Sequence, residues 1–355
     1  MLVDTTMTRK VRSGTTVYTQ GLLAGAETIA PPDLELRPVS GPPLLPTGGW
    51  GARLANLLLH QAWLHAGLPL LALRHRAAAV WQPVNTASAW APCPQVVTVH
   101  DLSFERYPEL FPGPFLRYVR ATVRLTARRA RLILADSEAT ADDLVELMRV
   151  PRDRIRVVYP GVPPVPEDER PREPLVLTVG ELGRRKRIAE VIQAFGTYRA
   201  TAGAGGDWRL AVVGASGPDE EEIRALAART DGVDFLGWVD DARLDDLYRR
   251  ASLVVYASAY EGFGLPVVEA MLRGTPVLAA RNSSLPEAGG PLCHYVDDVA
   301  PEPFARVLAD LLSDPAALVA GGAGRRAYAL RFRPERSSAA LMAALREAVG
   351  APASG

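Results

Sequence analysis

Short runs rich in aliphatic and β-branched residues alternate with longer helical runs along the whole chain. That alternation restricts it to parallel sheets joined by crossover helices. In the first half, Met1–Val3, Leu34–Val39, Ala78–Trp81, Val96–Val99, Leu132–Ala135 and Ile155–Tyr159 read as strands, with helices over Thr15–Ala26, Ala52–Ala66, Phe115–Ala130 and Glu138–Met148. In the second half the strands are Leu175–Val179, Arg209–Val213, Val233–Leu236, Leu253–Tyr256 and Thr275–Ala279, and helices begin near Ile188, Asp219, Ala242, Pro266 and Glu302. Between the halves, residues 160–174 are dense in proline and charge, which forbids a buried element. The sequence therefore predicts two doubly wound α/β domains, residues 1–162 and 175–332, joined by a linker over 163–174. A last helix within 333–355 is expected to return to the first domain. Ligands of such sheets bind outside the carboxyl ends of the strands, so two facing domains would place the site in the cleft between them.

Composition narrows the function classes. With 48% hydrophobic and 23% charged residues, the chain is neither disordered nor a disulfide scaffold. Forty basic residues balance 40 acidic ones, whereas a dedicated nucleic-acid binder would carry a basic excess. Cys93 and Cys293 form neither a CxxC nor a zinc spacing and read as buried thiols. Asp4 interrupts the start before any signal-like apolar run. The most apolar stretch, Leu54 to Leu73, is broken by His60, Gln61, His65 and Pro69 and makes a poor membrane span. These readings predict a cytoplasmic protein.

The sharpest motif is Tyr260-Glu-Gly-Phe-Gly-Leu-Pro-Val-Val-Glu-Ala270, which follows a strand and opens a helix. Gly262 and Gly264 permit close backbone approach to a ligand. Pro266 suits a first helical turn, whose free N–H groups favour an anion such as a diphosphate. Glu261 and Glu269 bracket that turn. Carboxylates repel phosphate but accept from hydroxyl groups, so they suit sugars flanking a diphosphate. The bland alternative is a capped helix with two surface glutamates. Gly180 ends another strand and leads into the basic run Arg184–Arg187, a candidate phosphate loop rather than a merely solvated turn. His100 follows the strand Val96–Val99 at its carboxyl end, and Gly14 opens a helix ahead of Thr15 and Thr16. His60, His65, His75 and His294 show no ligand spacing. From Phe115 to Arg131 there are six arginines and no acid, a basic amphipathic helix suited either to solvent or to an anionic membrane.

Glu261 to Glu269 resembles the E-x7-E motif of the retaining glycosyltransferases of family 4 (glycosyl transferases group 1). The resemblance extends over nearly the whole chain. It takes in Leu2-Val-Asp4 with Ser13–Tyr18, Val99-His-Asp-Leu102, Ala135–Thr140, Val157–Val162, Gly180–Arg187, Arg273–Val277 and Ser284–Glu287. Arg187 stands where similar bacterial enzymes have asparagine. The resemblance implies a GT-B fold, with two Rossmann-like doubly wound domains facing across a cleft. It further implies transfer of a hexose, mannose-like or modified, from a nucleotide diphosphate sugar to a hydroxyl acceptor, with no metal and no other cofactor. By the same resemblance, Glu261, His100, Lys186 and Arg185 are the candidate catalytic residues, Glu261 at the sugar hydroxyls and the two cations at the diphosphate. Gly14, Gly180, Phe263, Gly264, Leu265 and Glu269 would bind the donor, with Glu269 at the ribose. No D-x-D cluster stands at a strand end to hold a metal. The rival readings are a sugar-nucleotide epimerase of the same shape and a non-catalytic nucleotide-sugar-binding partner. A peripheral contact with the inner membrane face through residues 115–131 is a further expectation.

Overall fold

The structure is a computed structural model that describes residues 1–9, 13–29, 34–43, 45, 49–168, 170–201 and 207–350. Residue 169 of the expected linker and residues 351–355 of the expected last helical segment lie outside the described residues. The chain forms two compact units. One is Met1–Pro163 with Phe332–Gly355, the other Pro164–Arg331.

The sheet of the first unit comprises β1 (Leu2–Asp4), β2 (Arg37–Val39), β3 (Val80–Gln82), β4 (Gln95–Val99), β5 (Leu132–Ala135) and β6 (Ile155–Val157), in the order β2-β1-β3-β4-β5-β6, all pairs parallel. Every residue of β4 and β5 is buried. Side chains alternate faces along a strand, so a strand covered on both sides reads as an unbroken apolar run. Val96 and Leu134 enter one layer with Tyr18, Leu22, Leu341 and Leu345, while Val97, Ile133 and Ala135 enter the other with Val123 and Leu144.

The helix Pro334–Ala348 belongs to this unit and lies against the helix Gly14–Ile29. Glycines set the closeness of that contact. A Cβ on Gly25 would stand 2.4 Å from the Pro334 carbonyl oxygen, and one on Gly21 would stand 2.2 Å from the Gly161 carbonyl oxygen. Ser338 Oγ donates to the Leu22 carbonyl at 2.7 Å across the same contact.

The second unit holds β7 (Glu173–Val179), β8 (Arg209–Val213), β9 (Val233–Gly237), β10 (Ala251–Tyr256), β11 (Val277–Ala280) and β12 (His294–Val296). Their order is β12-β11-β10-β7-β8-β9, again all parallel. The first strand, β7, lies beside the fourth, β10, so the strand order reverses between them. That switch point is where doubly wound sheets open a crevice for ligands. Phe195, Ile192, Phe304 and Leu308 pack with Val176, Leu210, Val212 and Val255 to form the core on one side. The short strand β12 has no counterpart in the sequence reading, because three residues next to a turn carry no usable periodicity.

The expected linker 163–174 is corrected in one respect: its later part is fastened to the second unit. Residues 173 and 174 open β7. Arg172 donates to the carbonyl oxygens of Tyr248, Arg249, Ala251 and Arg273 and to Thr275 Oγ1. A guanidinium suits the carbonyl-rich carboxyl end of the helix Asp241–Arg250, which carries partial negative charge. Cys293 is buried as expected, whereas Cys93 is only half-buried, and both are free thiols.

Gly25→Leu should force the two helices of the first unit apart. We expect a destabilisation of roughly 3 kcal/mol or more, since overpacking here meets backbone rather than a flexible side chain. Urea unfolding beside an exposed control substitution such as Glu27→Leu measures it.

Candidate donor-binding site

The loops after β7 and β10, the two strands at the switch point, converge. After Val179 the chain turns through Gly180, whose N–H donates to the Val213 carbonyl at 3.0 Å. It then makes a single tight turn, Arg184–Lys186. Arg187 closes the turn at φ +52°, a left-handed conformation that asparagine adopts more readily than arginine. The Lys186 stem runs back over Gly180, where an added Cβ would meet Lys186 Cγ at 3.3 Å. The lysine is thereby aimed at the end of β10.

There Lys186 Nζ donates to Glu261 Oε1 at 2.5 Å and to the Tyr256 hydroxyl at 3.0 Å. The Tyr256 hydroxyl donates in turn to Glu261 Oε1 at 2.8 Å. Arg185 Nη1 donates to Glu261 Oε2 at 3.3 Å and to the Tyr260 carbonyl at 2.7 Å. The Glu261 backbone is pinned on both sides: its N–H donates to Ser283 Oγ at 3.0 Å, and its carbonyl accepts from Ser284 Oγ at 2.9 Å.

Beyond Glu261 the chain passes the buried Phe263 and reaches Gly264 at φ +102°. A Cβ there would combine a strained backbone with a 2.7 Å contact to Leu285, so glycine is required. Gly264 caps the helix Leu265–Leu272, with Leu265 and Pro266 in its first turn. Glu269 lies inside that helix and accepts from the Tyr248 hydroxyl at 3.0 Å through Oε2. The Arg273 guanidinium lies over the ring of Tyr248.

Burial alone would raise the Glu261 carboxyl, but the charges of Lys186 and Arg185 outweigh it and hold the pKa at about 2. Glu261 is therefore ionised at any working pH. Burial, reinforced by the carboxylate, pushes the Tyr256 phenol up, so it stays a neutral donor.

The structure thus brings Gly180, Arg185, Lys186 and Glu261 together, with Phe263, Gly264 and Leu265 on the continuing loop. Glu269 has a different partner, Tyr248. The sequence reading did not select Tyr256, Tyr248 or Ser283. Tyr256 is the last residue of β10, and that position at a strand's carboxyl end was the available signal.

Gly14 and His100 lie in the first unit. Gly14 is the first residue of the helix Gly14–Ile29, and Tyr18 of that helix meets the His100 ring edge-on at 5.1 Å between centroids. His100 Nδ1 faces Asp136 Oδ2 at 2.8 Å, and Nε2 faces the Pro83 carbonyl at 3.1 Å. Nε2 thus donates to the Pro83 carbonyl, and Nδ1 shares a hydrogen bond with Asp136. Burial works against a charge on the ring, but the Asp136 carboxylate and the Pro83 carbonyl together raise the His100 pKa. Both nitrogens are thus engaged within the protein. Asp136, which the sequence reading passed over, is its side-chain partner.

Among the described residues no group of three or more His, Cys, Asp and Glu side chains could hold a metal ion. No single helix among them is long and apolar enough to cross a membrane.

Two sequence families match in tandem: Glycosyltransferase Family 4 over residues 16–165 and Glycosyl transferases group 1 over residues 165–325. The chain belongs to the group 1, family 4 glycosyltransferases. Among curated relatives, the D-inositol 3-phosphate glycosyltransferase of Xylanimonas cellulosilytica is 32% identical over 70% of this chain and 65% of its own. The O-antigen chain mannosyltransferase B of Escherichia coli is 30% identical over 55% of each chain. The MMP alpha-(1->4)-mannosyltransferase of Mycolicibacterium hassiacum is 30% identical over 72% of this chain and 65% of its own. The matched segments thus span 55–65% of these relatives' lengths. Among solved structures, HepE of Anabaena, crystallised with UDP and glucose, aligns over 98% of this chain and 99% of its own with a TM-score of 0.72 at 19% identity. WaaG, a glycosyltransferase involved in lipopolysaccharide biosynthesis, aligns over 95% of this chain and 98% of its own with a TM-score of 0.69 at 17% identity. At these identities the likeness is one of fold, which is GT-B.

The depressed Glu261 pKa carries a stability signature. Its contribution is complete above the ordinary value of 4.5 and is lost as pH falls toward about 2. Glu261→Gln should therefore cost on the order of 3 kcal/mol at neutral pH, the scale for unmatching a buried ion pair. The gap to wild type should close on acidification through that window. Denaturant unfolding at several pH values reads it, and a gap independent of pH would contradict the assignment.

Proposed function

We propose that the chain is a retaining, metal-independent glycosyltransferase that moves a hexose from a nucleotide diphosphate sugar to a hydroxyl acceptor. The observation that carries this reading is the convergence of Arg185, Lys186 and Glu261 with the start of the helix Leu265–Leu272 at the sheet's switch point. Arg185 and Lys186 take the diphosphate, and the backbone of Phe263, Gly264 and Leu265 completes its cradle. Glu269, oriented by Tyr248, takes the ribose, and Glu261 takes hydroxyls of the sugar. Negative charge builds on the leaving diphosphate as the glycosidic bond breaks, and fixed cations lower that barrier without a metal ion.

Retention is what the resemblance to family 4 implies, and the chemistry of Glu261 is compatible with a front-face route. A carboxylate held at about 2 by two cations is a weak nucleophile and a weak base. Front-face attack by the acceptor hydroxyl, with the departing phosphate taking its proton, needs neither. His100, oriented by Asp136 and the Pro83 carbonyl, is the catalytic residue of the first unit. The names of two relatives, both mannosyltransferases, support a mannose-like sugar.

We further propose that the basic helix, which spans Gly113–Arg129, lies against anionic lipid at the inner face of the membrane. Arg117, Arg124 and Arg128 are exposed on it, as is Phe115; Glu105 pairs with Arg120 at 2.8 Å and with Arg124 at 4.0 Å.

A thermal-shift panel of UDP- and GDP-sugars identifies the donor, because a ligand that binds the folded chain raises its apparent stability. With that donor, Lys186→Ala should lower kcat by about a hundredfold, the scale for removing one transition-state electrostatic group. Lys186→Arg should not rescue it, since a planar guanidinium cannot replace a compact ammonium held between Tyr256 and Glu261. Unchanged kcat/KM in Lys186→Ala would remove this lysine from the mechanism. Interconversion of nucleotide sugars without an acceptor would instead identify an epimerase. For the membrane contact, the chain should co-sediment with anionic vesicles at low salt. Replacing Arg117, Arg124 and Arg128 by Glu should abolish that binding.

A further inference from the structure

We propose that Glu261 makes the site discriminate between the nucleotide sugar and the spent nucleoside diphosphate, disfavouring the latter. The inference rests on the donor-site reading above. Both carboxylate oxygens of Glu261 are engaged: Oε1 with Lys186 and Tyr256, Oε2 with Arg185. The side chain is only 11% exposed. The cations that would grip a diphosphate are thus already matched by an internal anion, and a diphosphate must compete for them.

The competition leaves a problem that only one of the two ligands solves. When Lys186 and Arg185 turn to phosphate, the Glu261 carboxylate keeps the hydroxyls of Tyr256 and Ser258 but gives up its charged partners. A buried carboxylate short of donors is strongly disfavoured. It stays away from water because its side chain is enclosed, and Ser283 and Ser284 fix the backbone that carries it. A sugar on the diphosphate brings hydroxyl donors to the carboxylate and relieves the deficit. A bare nucleoside diphosphate brings none. Specificity is a difference of affinities, and here it is produced by an element that works against the wrong ligand. The functional consequence is weak product inhibition and ready release of the nucleotide after transfer.

Isothermal titration tests this on the full chain, with UDP or GDP (whichever the wild type binds) and with the corresponding nucleotide sugar. Glu261→Gln removes the charge and keeps the shape, and Glu261→Ala serves as a second variant should Gln fail to fold. Either should bind the nucleoside diphosphate roughly tenfold more tightly than wild type and gain nothing on the nucleotide sugar, so that the preference for the sugar falls by about that factor. The gain should vanish in a Lys186→Ala background, because the competition runs through that cation. The inference is overturned if nucleoside diphosphate affinity does not rise. It is equally overturned if both ligands gain alike, or if the gain persists unchanged without Lys186, since either result means simple repulsion. If Lys186→Ala leaves nucleoside diphosphate affinity intact, the donor-site reading itself falls and takes this inference with it.

Discussion

The ion pair between Lys186 and Glu261 is the interaction on which the second unit's site depends. It ties the loop after β7 to the loop after β10, the two neighbours at which the strand order reverses. A sheet of this topology leaves a crevice there, and loops of two chain segments far apart in sequence must be held over it. Buried charges do this with directionality, since an unmatched partner would be strongly unfavourable in that position. Tyr256 adds a third point by accepting from the ammonium and donating to the carboxylate. The site is therefore preorganised by the same charges that the proposed chemistry uses.

The first unit uses a parallel device. His100 at the end of β4 is locked by Asp136 at the end of β5, and the imidazole meets the Tyr18 ring edge-on. Around it the fold relies on close backbone approach. Gly25 lets the helix Pro334–Ala348 lie directly on the helix that carries Tyr18, and Gly21 lets the backbone at Gly161 approach that same helix. Both units thus combine an apolar parallel sheet with a small number of buried, paired charges at its carboxyl edge.

Much of this was legible in the sequence. The apolar runs at Val96–Val99, Leu132–Ala135 and Leu253–Tyr256 identify central strands because both faces are buried and no polar alternation dilutes them. Gly264 and Pro266 mark a helix start through backbone requirements that act locally. What remained hidden depends on contacts between distant segments. Tyr256 and Tyr248 read as core aromatics, and only the fold brings their hydroxyls to Glu261 and Glu269. Nothing local in Arg172 reveals that its guanidinium serves carbonyls in the last turn of a helix more than 70 residues away. The turning of both His100 nitrogens into the protein likewise depends on Pro83 and Asp136, one on either side in the sequence. One compositional signal was available: Lys10 and Lys186 are the only lysines among 40 basic residues.

The central claim, that the charges at the switch point form a diphosphate site, is tested most directly by a crystal structure of the chain with UDP or GDP bound. The account expects the diphosphate oxygens within hydrogen-bond distance of Arg185 and Lys186, the ribose at Glu269, and the Lys186–Glu261 pair broken. A nucleotide seated elsewhere, or a diphosphate bound with that ion pair still intact, would contradict it.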